Sequence, residues 1–218
     1  MKRVVVAATC VLTLTWGAAA VLLAGGCSAK DTAAPAPPPS EQAATAPAAS
    51  ASARFQQTLT LQGLTFTVTC DNDSSINQLS IVPAGLELDN TAITQDVDGQ
   101  VVGAEVADLD ANGSPELYVY VRSAGSGSYG SLVAYAANKR KSLSGIYLPP
   151  VTENATIAKG YLGHDEFTVI ENRLVQRFPI YRDGDTNANP TGGTRQLRYK
   201  LVAGEAGWKL VIDRVVES

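Results

Sequence analysis

The residues best suited to chemistry lie in three short polar segments, and the first of them resembles a cation-binding loop. Asp108-Leu109-Asp110-Ala111-Asn112-Gly113-Ser114-Pro115-Glu116 places oxygen ligands at alternate positions before a glycine, as a calcium loop does. An EF-hand needs a bidentate Glu at position 12, where Val119 stands, although a shorter hairpin loop would use Glu116. We favour a polar turn whose Asp and Asn side chains bond their own backbone, with calcium as the alternative. The prediction is therefore no metal and no cofactor.

The second segment, Ser123-Ala124-Gly125-Ser126-Gly127-Ser128-Tyr129-Gly130, lies between two predicted strands. Its glycines allow positive φ angles, and its serine hydroxyls can donate and accept hydrogen bonds. Tyr129 adds a rigid aromatic ring with a polar tip, a residue type common in binding hot spots. Composition leaves two interpretations open: a binding loop, or a flexible hairpin connection with Tyr129 folded onto the sheet.

The third segment contains His164, the only histidine of the chain. A serine or cysteine nucleophile usually needs a histidine base that a third group orients, and no such motif is visible. One histidine and one free cysteine also cannot build a tetrahedral zinc site. Asp183-Gly184-Asp185-Thr186-Asn187 is interpreted as an ordinary Gly/Asn loop. We predict that the protein is not an enzyme.

The elements that position these segments are predicted to be strands. Apolar residues alternate with polar ones over 59–70, around a Gln62-Gly63 turn, and again over 117–122 and 196–201. A second hairpin is predicted around Asn172-Arg173, and the 204–207 loop leads into the last strand. Short helical turns are possible over 138–142 and 153–159. This pattern predicts an all-β fold, an antiparallel β-sandwich with short helical turns.

The N-terminus has the features of an export signal. A basic start precedes an apolar run from Val4 to Leu23 and the small residues Ala24, Gly25 and Gly26. Several threonines dilute the run, which argues against the alternative of an uncleaved membrane anchor. We predict a lipoprotein-type signal peptide over residues 1–26.

Residues 23–27, Leu-Ala-Gly-Gly-Cys, resemble a bacterial lipobox, in which the cysteine is acylated and becomes the first residue of the mature chain. Ala24 stands where the pattern usually has Leu, so ordinary cleavage near residues 18–20 is the alternative. The resemblance predicts lipidation of Cys27 and anchoring to the outer membrane from the periplasm. Cys70 is then the one cysteine left in the domain, and its alternation pattern favours an apolar strand position.

Residues 27–53 are rich in Ala, Pro and Ser and cannot bury a core, so a disordered tether is predicted. Residues 54–218 form a single domain by size. The whole chain has a net charge of −4, and residues 1–54 carry four basic and two acidic side chains, so the remainder carries −6. An acidic domain is a poor nucleic-acid binder but attracts a basic partner at low salt.

The domain resembles the bacterial periplasmic inhibitors of I-type (invertebrate-type) lysozyme. The resemblance rests on motifs such as SPELYVYV over 114–121, the 123–130 loop, GHDEF over 163–167 and RFPIY over 177–181. Further matching residues lie at 106–109, 141–144, 146–150, 183–185 and 207–208. Together they cover nearly all of the chain after Arg54.

The resemblance implies a β-sandwich, often a homodimer, that blocks I-type lysozyme by inserting a loop into its active-site cleft. The family uses the Ser and Tyr of a Ser-Gly-x-Tyr loop, which correspond here to Ser126 and Tyr129, with Gly127 and Ser128 between them. Two alternatives remain: a structural envelope lipoprotein that binds peptidoglycan or another envelope component, and a calcium-dependent carbohydrate-binding module.

Overall fold

The computed structural model describes residues 54–205 and 207–218, which form strands and one short 3₁₀ helix. The predicted signal peptide, Cys27 and the tether lie outside the described residues. The strands are β1 (Phe55–Leu61), β2 (Leu64–Cys70), β3 (Ile76–Ala84), β4 (Ile93–Asp98), β5 (Gln100–Ala107), β6 (Glu116–Arg122), β7 (Gly130–Asn138), β8 (Ser142–Tyr147), β9 (Glu166–Ile170), β10 (Arg173–Pro179), β11 (Thr194–Ala203) and β12 (Trp208–Glu217). The 3₁₀ helix is Val151–Glu153. In this part of the chain, no helix has the length and apolar character needed to cross a membrane.

The first hairpin follows directly from its sequence. In β2 the apolar side chains of Leu64, Phe66 and Val68 are fully buried, while the intervening threonines remain partly exposed. Because strand side chains alternate between faces, this pattern fixes which face packs on the core. Gln62 and Gly63 make the connection with positive φ angles of 50° and 78°, as a two-residue hairpin turn requires.

The strands form two sheets, with orders β1-β2-β3-β4 and β5-β6-β7-β8-β12-β11-β10-β9. Neighbours are antiparallel except β8 and β12, which run parallel and pair through Trp208 with Ile146 and Lys209 with Tyr147. The two sheets pack together through a shared hydrophobic core. The predicted all-β sandwich is confirmed.

Strand β6 is covered on both faces, which the sequence did not predict. Leu117, Val119 and Val121 pack into a core with β1–β4, whereas Tyr118 and Tyr120 pack into a second core with residues of β10, β11 and β12. The eight-stranded sheet therefore folds back on itself over β6. The sequence obscured this because the second face uses tyrosine, which pattern analysis counts as half polar.

The helical turn expected over 138–142 is wrong: Lys139 and Arg140 have positive φ angles of 50° and 59° and form a tight hairpin turn between β7 and β8. The other turns differ from prediction by small shifts. The second hairpin turns at Glu171 and Asn172, with φ angles of 47° and 56°, so β10 begins at Arg173 rather than after it. The helical turn expected over 153–159 begins two residues earlier, as the 3₁₀ helix, and continues with one bond from Ala158 N to Asn154 O. Cys70 is a free, buried thiol in the first core, as its strand position predicts.

Candidate functional site

The 123–129 loop connects β6 to β7 and has a defined backbone. Ser123 N donates to Tyr129 O at 2.9 Å, which closes the loop at its base. Ser128 N donates to Gly125 O at 2.9 Å, which makes a tight turn at the tip. Ser128 itself has a φ of 43°, in the left-handed region. Hydrogen bonds thus hold the predicted binding segment at its base and at its tip.

The loop is also held from outside the hairpin. His164 N donates to Gly127 O at 2.7 Å, and Asn187 Nδ2 donates to Ser126 O at 2.6 Å. We call His164 and Asn187 the braces of the loop. Asn187 Oδ1 lies 3.0 Å from His164 Nε2, so the two braces are also bonded to each other. Tyr181 Oη donates to Asn187 O at 2.9 Å and holds the second brace in place. These contacts fix the backbone of the two residues that precede Ser128.

Two glycines are needed for this close approach. Gly163 has a φ of +90°, and a Cβ there would lie 2.2 Å from Gly127 O and 3.1 Å from Tyr129 Cδ1. A Cβ on Gly127 would lie 2.5 Å from Tyr129 Cε2. The distances of 2.2 Å and 2.5 Å are far below van der Waals contact. Residue 163 therefore tolerates no side chain, because the collision is with backbone, whereas a Cβ at residue 127 would force the Tyr129 ring to move.

The side chains of Ser126 and Tyr129 remain available. Ser126 is exposed, and Tyr129 keeps 45% of its surface exposed while its ring packs edge-on against Tyr161 at 5.7 Å. Neither hydroxyl forms a hydrogen bond with any residue of the described ranges. The Tyr129 ring is thus partly packed on Tyr161 and partly open to solvent.

Asp165 holds the C-terminal end of the loop through its hydrogen bond with Gly130. It is 5% exposed, and its two oxygens accept from Gly130 N at 2.9 Å, Tyr161 Oη at 2.8 Å and Gln176 Nε2 at 2.7 Å. Burial raises the pKa of Asp165 above its ordinary value, although these three donors act in the opposite direction. The network connects the first residue of β7 to the second core.

Two clefts flank the loop. One, of about 320 Å³, is lined by Tyr129, Leu132, Leu148, Pro150, Tyr161 and Gln176. The other, of about 420 Å³, is lined by His164, Glu166, Arg177, Tyr181, Asn187 and Pro190. Tyr129 therefore borders an apolar cleft, and His164 and Asn187, which hold the loop, border a cleft that carries charge.

The 108–116 loop lies at the opposite end of β6. As predicted, its side chains bond its own backbone: Asp108 accepts from Asn112 N and Gly113 N, both at 2.9 Å, and Asn112 Oδ1 accepts from Ser114 N at 2.7 Å. Burial opposes ionisation of Asp108, but donors including Gln62 and Gly113 outweigh it and hold its pKa below its ordinary value. Burial, with the charges of Asp110 and Asp108, raises the pKa of Glu116 to about 8.

His164 has a structural partner rather than a nucleophile. Its ring nitrogen Nε2 pairs with Asn187, and its ring lies 6.3 Å from that of Tyr181. Cys70 is buried in the other core. Within the described residues, the geometry gives His164 the role of bracing the 123–129 loop.

Sequence reasoning located the loop but missed its braces. It gave His164 no role and placed Asn187 in an ordinary loop, because neither lies near residue 126 in sequence. The glycine of GHDEF was the available signal, because a glycine permits a positive φ and a close approach of another backbone. Lipidation of Cys27 lies outside the described residues.

No protein-family model, curated protein or solved structure matches this chain.

Proposed function

We propose that this protein binds I-type lysozyme and blocks its active-site cleft with Ser126, Gly127, Ser128 and Tyr129, protecting bacterial peptidoglycan. The sequence resemblance supports the proposal over nearly the whole domain. The observation that carries it is the combination of a braced backbone with free hydroxyls on Ser126 and Tyr129.

The chemistry of the cleft suits this loop. Glycoside hydrolases use a pair of carboxylates, and a hydroxyl donor can bond an ionised carboxylate strongly. The 123–129 segment contains no acidic residue that would be repelled from such a pair. Bracing by His164 and Asn187 lowers the entropy cost of inserting the loop, because its backbone is ordered before binding.

The test is titration of I-type lysozyme activity with single and double alanine variants. Losing a charge-assisted hydrogen bond should weaken binding roughly ten- to hundredfold, so Ser126→Ala and Tyr129→Ala should each do so. Tyr129→Ala should cost more, because it also removes aromatic contact area. Tyr129→Phe isolates the hydroxyl. All variants should melt within about two degrees of wild type, since the side chains are exposed.

Matched controls are available elsewhere in the chain. Ser75→Ala changes an exposed serine, and Tyr147→Phe removes the hydroxyl of a tyrosine that is 50% exposed. Both should inhibit like wild type. Full inhibition by the double variant Ser126→Ala, Tyr129→Ala would exclude this loop, and no inhibition by wild type would exclude the function. Cell-wall binding without lysozyme would then favour the envelope-lipoprotein alternative.

The proposal includes a location and an assembly. The protein would be a non-catalytic periplasmic lipoprotein, attached to the outer membrane through lipid on Cys27, and a homodimer as its family resemblance implies. Cys27→Ala should move the protein into the soluble periplasmic fraction. Equal solubility of wild type and variant would contradict the anchor, and sedimentation of a single-chain mass would contradict the dimer.

A further inference from the structure

Three carboxylates converge where the chain enters β6. One oxygen each from Asp108, Asp110 and Glu116 lies within 4.8 Å of the others. Asp110 is exposed, Asp108 is half-buried and Glu116, the first residue of β6, is fully buried. Such a cluster alone is common at protein surfaces, so its meaning depends on how the buried member is satisfied.

Glu116 is not fully satisfied by the protein. Oε2 accepts from Leu109 N at 2.9 Å, but Oε1 is buried and has no hydrogen-bond partner among the described residues. A buried carboxylate oxygen without a donor is costly, so such atoms normally meet a donor, a water or a cation. Asp165, the comparable buried acid, has donors on both oxygens. The free oxygen of Glu116 is therefore specific to this loop.

Within residues 54–205 and 207–218, no basic side chain forms an ion pair with these carboxylates. The ion pairs of the described residues involve other acids, namely Asp71, Asp213 and Glu217. Among the described residues, the side chains outside the loop that bond these carboxylates are both neutral: Gln62 Nε2 donates to Asp108 at 2.8 Å, and Tyr118 Oη donates to Glu116 Oε2 at 3.5 Å. Three ionised carboxylates at this spacing repel one another, and either a proton on Glu116, whose pKa is raised to about 8, or a bound cation relieves that repulsion.

We propose that Asp108, Asp110 and Glu116 bind one calcium ion. The ligands are all carboxylate oxygens, which select a hard cation over zinc or copper. Calcium suits them better than magnesium, which demands near-ideal octahedral geometry and retains its waters. Val119, which occupies the EF-hand ligand position, is buried in the first core, and Glu116 takes its place three residues earlier. This inference replaces the sequence-based preference for a plain turn and does not depend on the proposed function.

The bound ion would have a structural role. Asp108 connects the loop to Gln62 in the β1–β2 turn, so the ion would fasten the start of β6 to the first sheet. Ligand binding to the native state stabilises it by mass action. At calcium near 100 times its Kd, the melting temperature should rise by roughly 5–10 °C in a domain of this size.

The experiment is calorimetric titration and thermal melting of the chelator-treated protein with calcium chloride. Wild type should show one binding site and the rise in melting temperature. Asp110→Asn should lose both, while the matched control Asp96→Asn, an exposed acid in β4, should keep them. Asp110 is exposed, so its variant should fold even if Glu116→Gln does not. Absence of heat and of a melting shift in wild type would overturn the site, as would a full shift in Asp110→Asn. An equal shift with magnesium would overturn the choice of calcium.

Discussion

The two loops at the ends of β6 are built in opposite ways. The 108–116 loop is shaped by its own backbone, since Asn112 N and Gly113 N both donate to Asp108. The 123–129 loop is shaped largely from a distance, by His164 and Asn187. In the first loop, the carboxylates of Asp108, Asp110 and Glu116 lie close together. In the second loop, the side chains of Ser126 and Tyr129 are exposed to solvent. The loop proposed to hold an ion is thus supported mainly by local bonds, whereas the loop proposed to bind a partner is supported by residues distant in sequence.

The buried acids near the two loops also differ in how completely their oxygens are hydrogen-bonded. Asp165 receives three donors and anchors the first residue of β7. Glu116 has one oxygen without a donor in the described ranges. A carboxylate that is fully bonded supports a neighbouring site, whereas one with a free buried oxygen suits direct ligand binding.

The largest expected effect is from Gly163→Ala. The added Cβ would collide with Gly127 O, so the loop must move away from its brace. We expect inhibition of I-type lysozyme to fall by at least about a hundredfold, equivalent to roughly 2.7 kcal/mol of binding free energy. The measurement is the inhibition constant, together with the melting temperature.

Gly184→Ala is the matched control for Gly163→Ala. Gly184 has a φ of +89°, almost equal to that of Gly163, but no atom lies within 4 Å of its added Cβ. Both variants therefore share the backbone strain of about 1–3 kcal/mol, and Gly163→Ala alone adds the collision. Equal inhibition by the two variants would show that external bracing does not matter.

A moderate effect is expected from Asn187→Ala. This change removes the bonds to Ser126 O and to His164, so the loop must be ordered at the moment of binding. Inhibition should weaken by about tenfold, with little change in melting temperature because Asn187 is exposed. Asn189→Ala alters the same loop where the side chain makes no described bond, and it should behave like wild type. Unchanged inhibition by Asn187→Ala would show that the Asn187 side chain does not order the loop for binding.

The smallest effect concerns pH. Burial raises the pKa of Asp165 in the folded state, so the folded protein retains this proton to a higher pH than the unfolded chain does. The stabilising contribution is therefore complete below the unfolded pKa of about 3.9 and is lost as pH rises through the folded pKa. Urea unfolding from pH 3.5 upward should show a larger loss of stability in wild type and in Asp96→Asn than in Asp165→Asn, in which only the loss that comes from the raised pKa of Glu116 remains. Parallel pH profiles for wild type and Asp165→Asn would contradict the raised pKa.

The sequence predicted the features that depend on neighbouring residues. Alternation in β2, the Gln62-Gly63 turn and the Asp108 turn are all set within a few positions, and the structure contains each of them. It did not predict the second covered face of β6 or the braces of the 123–129 loop. Those depend on which distant strands pack together, and Asn187 meets Ser126 across 61 positions. Cys27 and its lipid remain a prediction.

The parallel pairing of β8 with β12 has a consequence for the order of folding. It joins the two halves of the eight-stranded sheet through two residue pairs, and the β6–β7 hairpin and its braces lie on opposite sides of that junction. The hairpin is a local structure that can form soon after its residues leave the ribosome, whereas contacts of long sequence separation form slowly. The 123–129 loop would thus acquire its final geometry only after the C-terminal strands have docked. The proposed inhibition would therefore be acquired at the last step of folding.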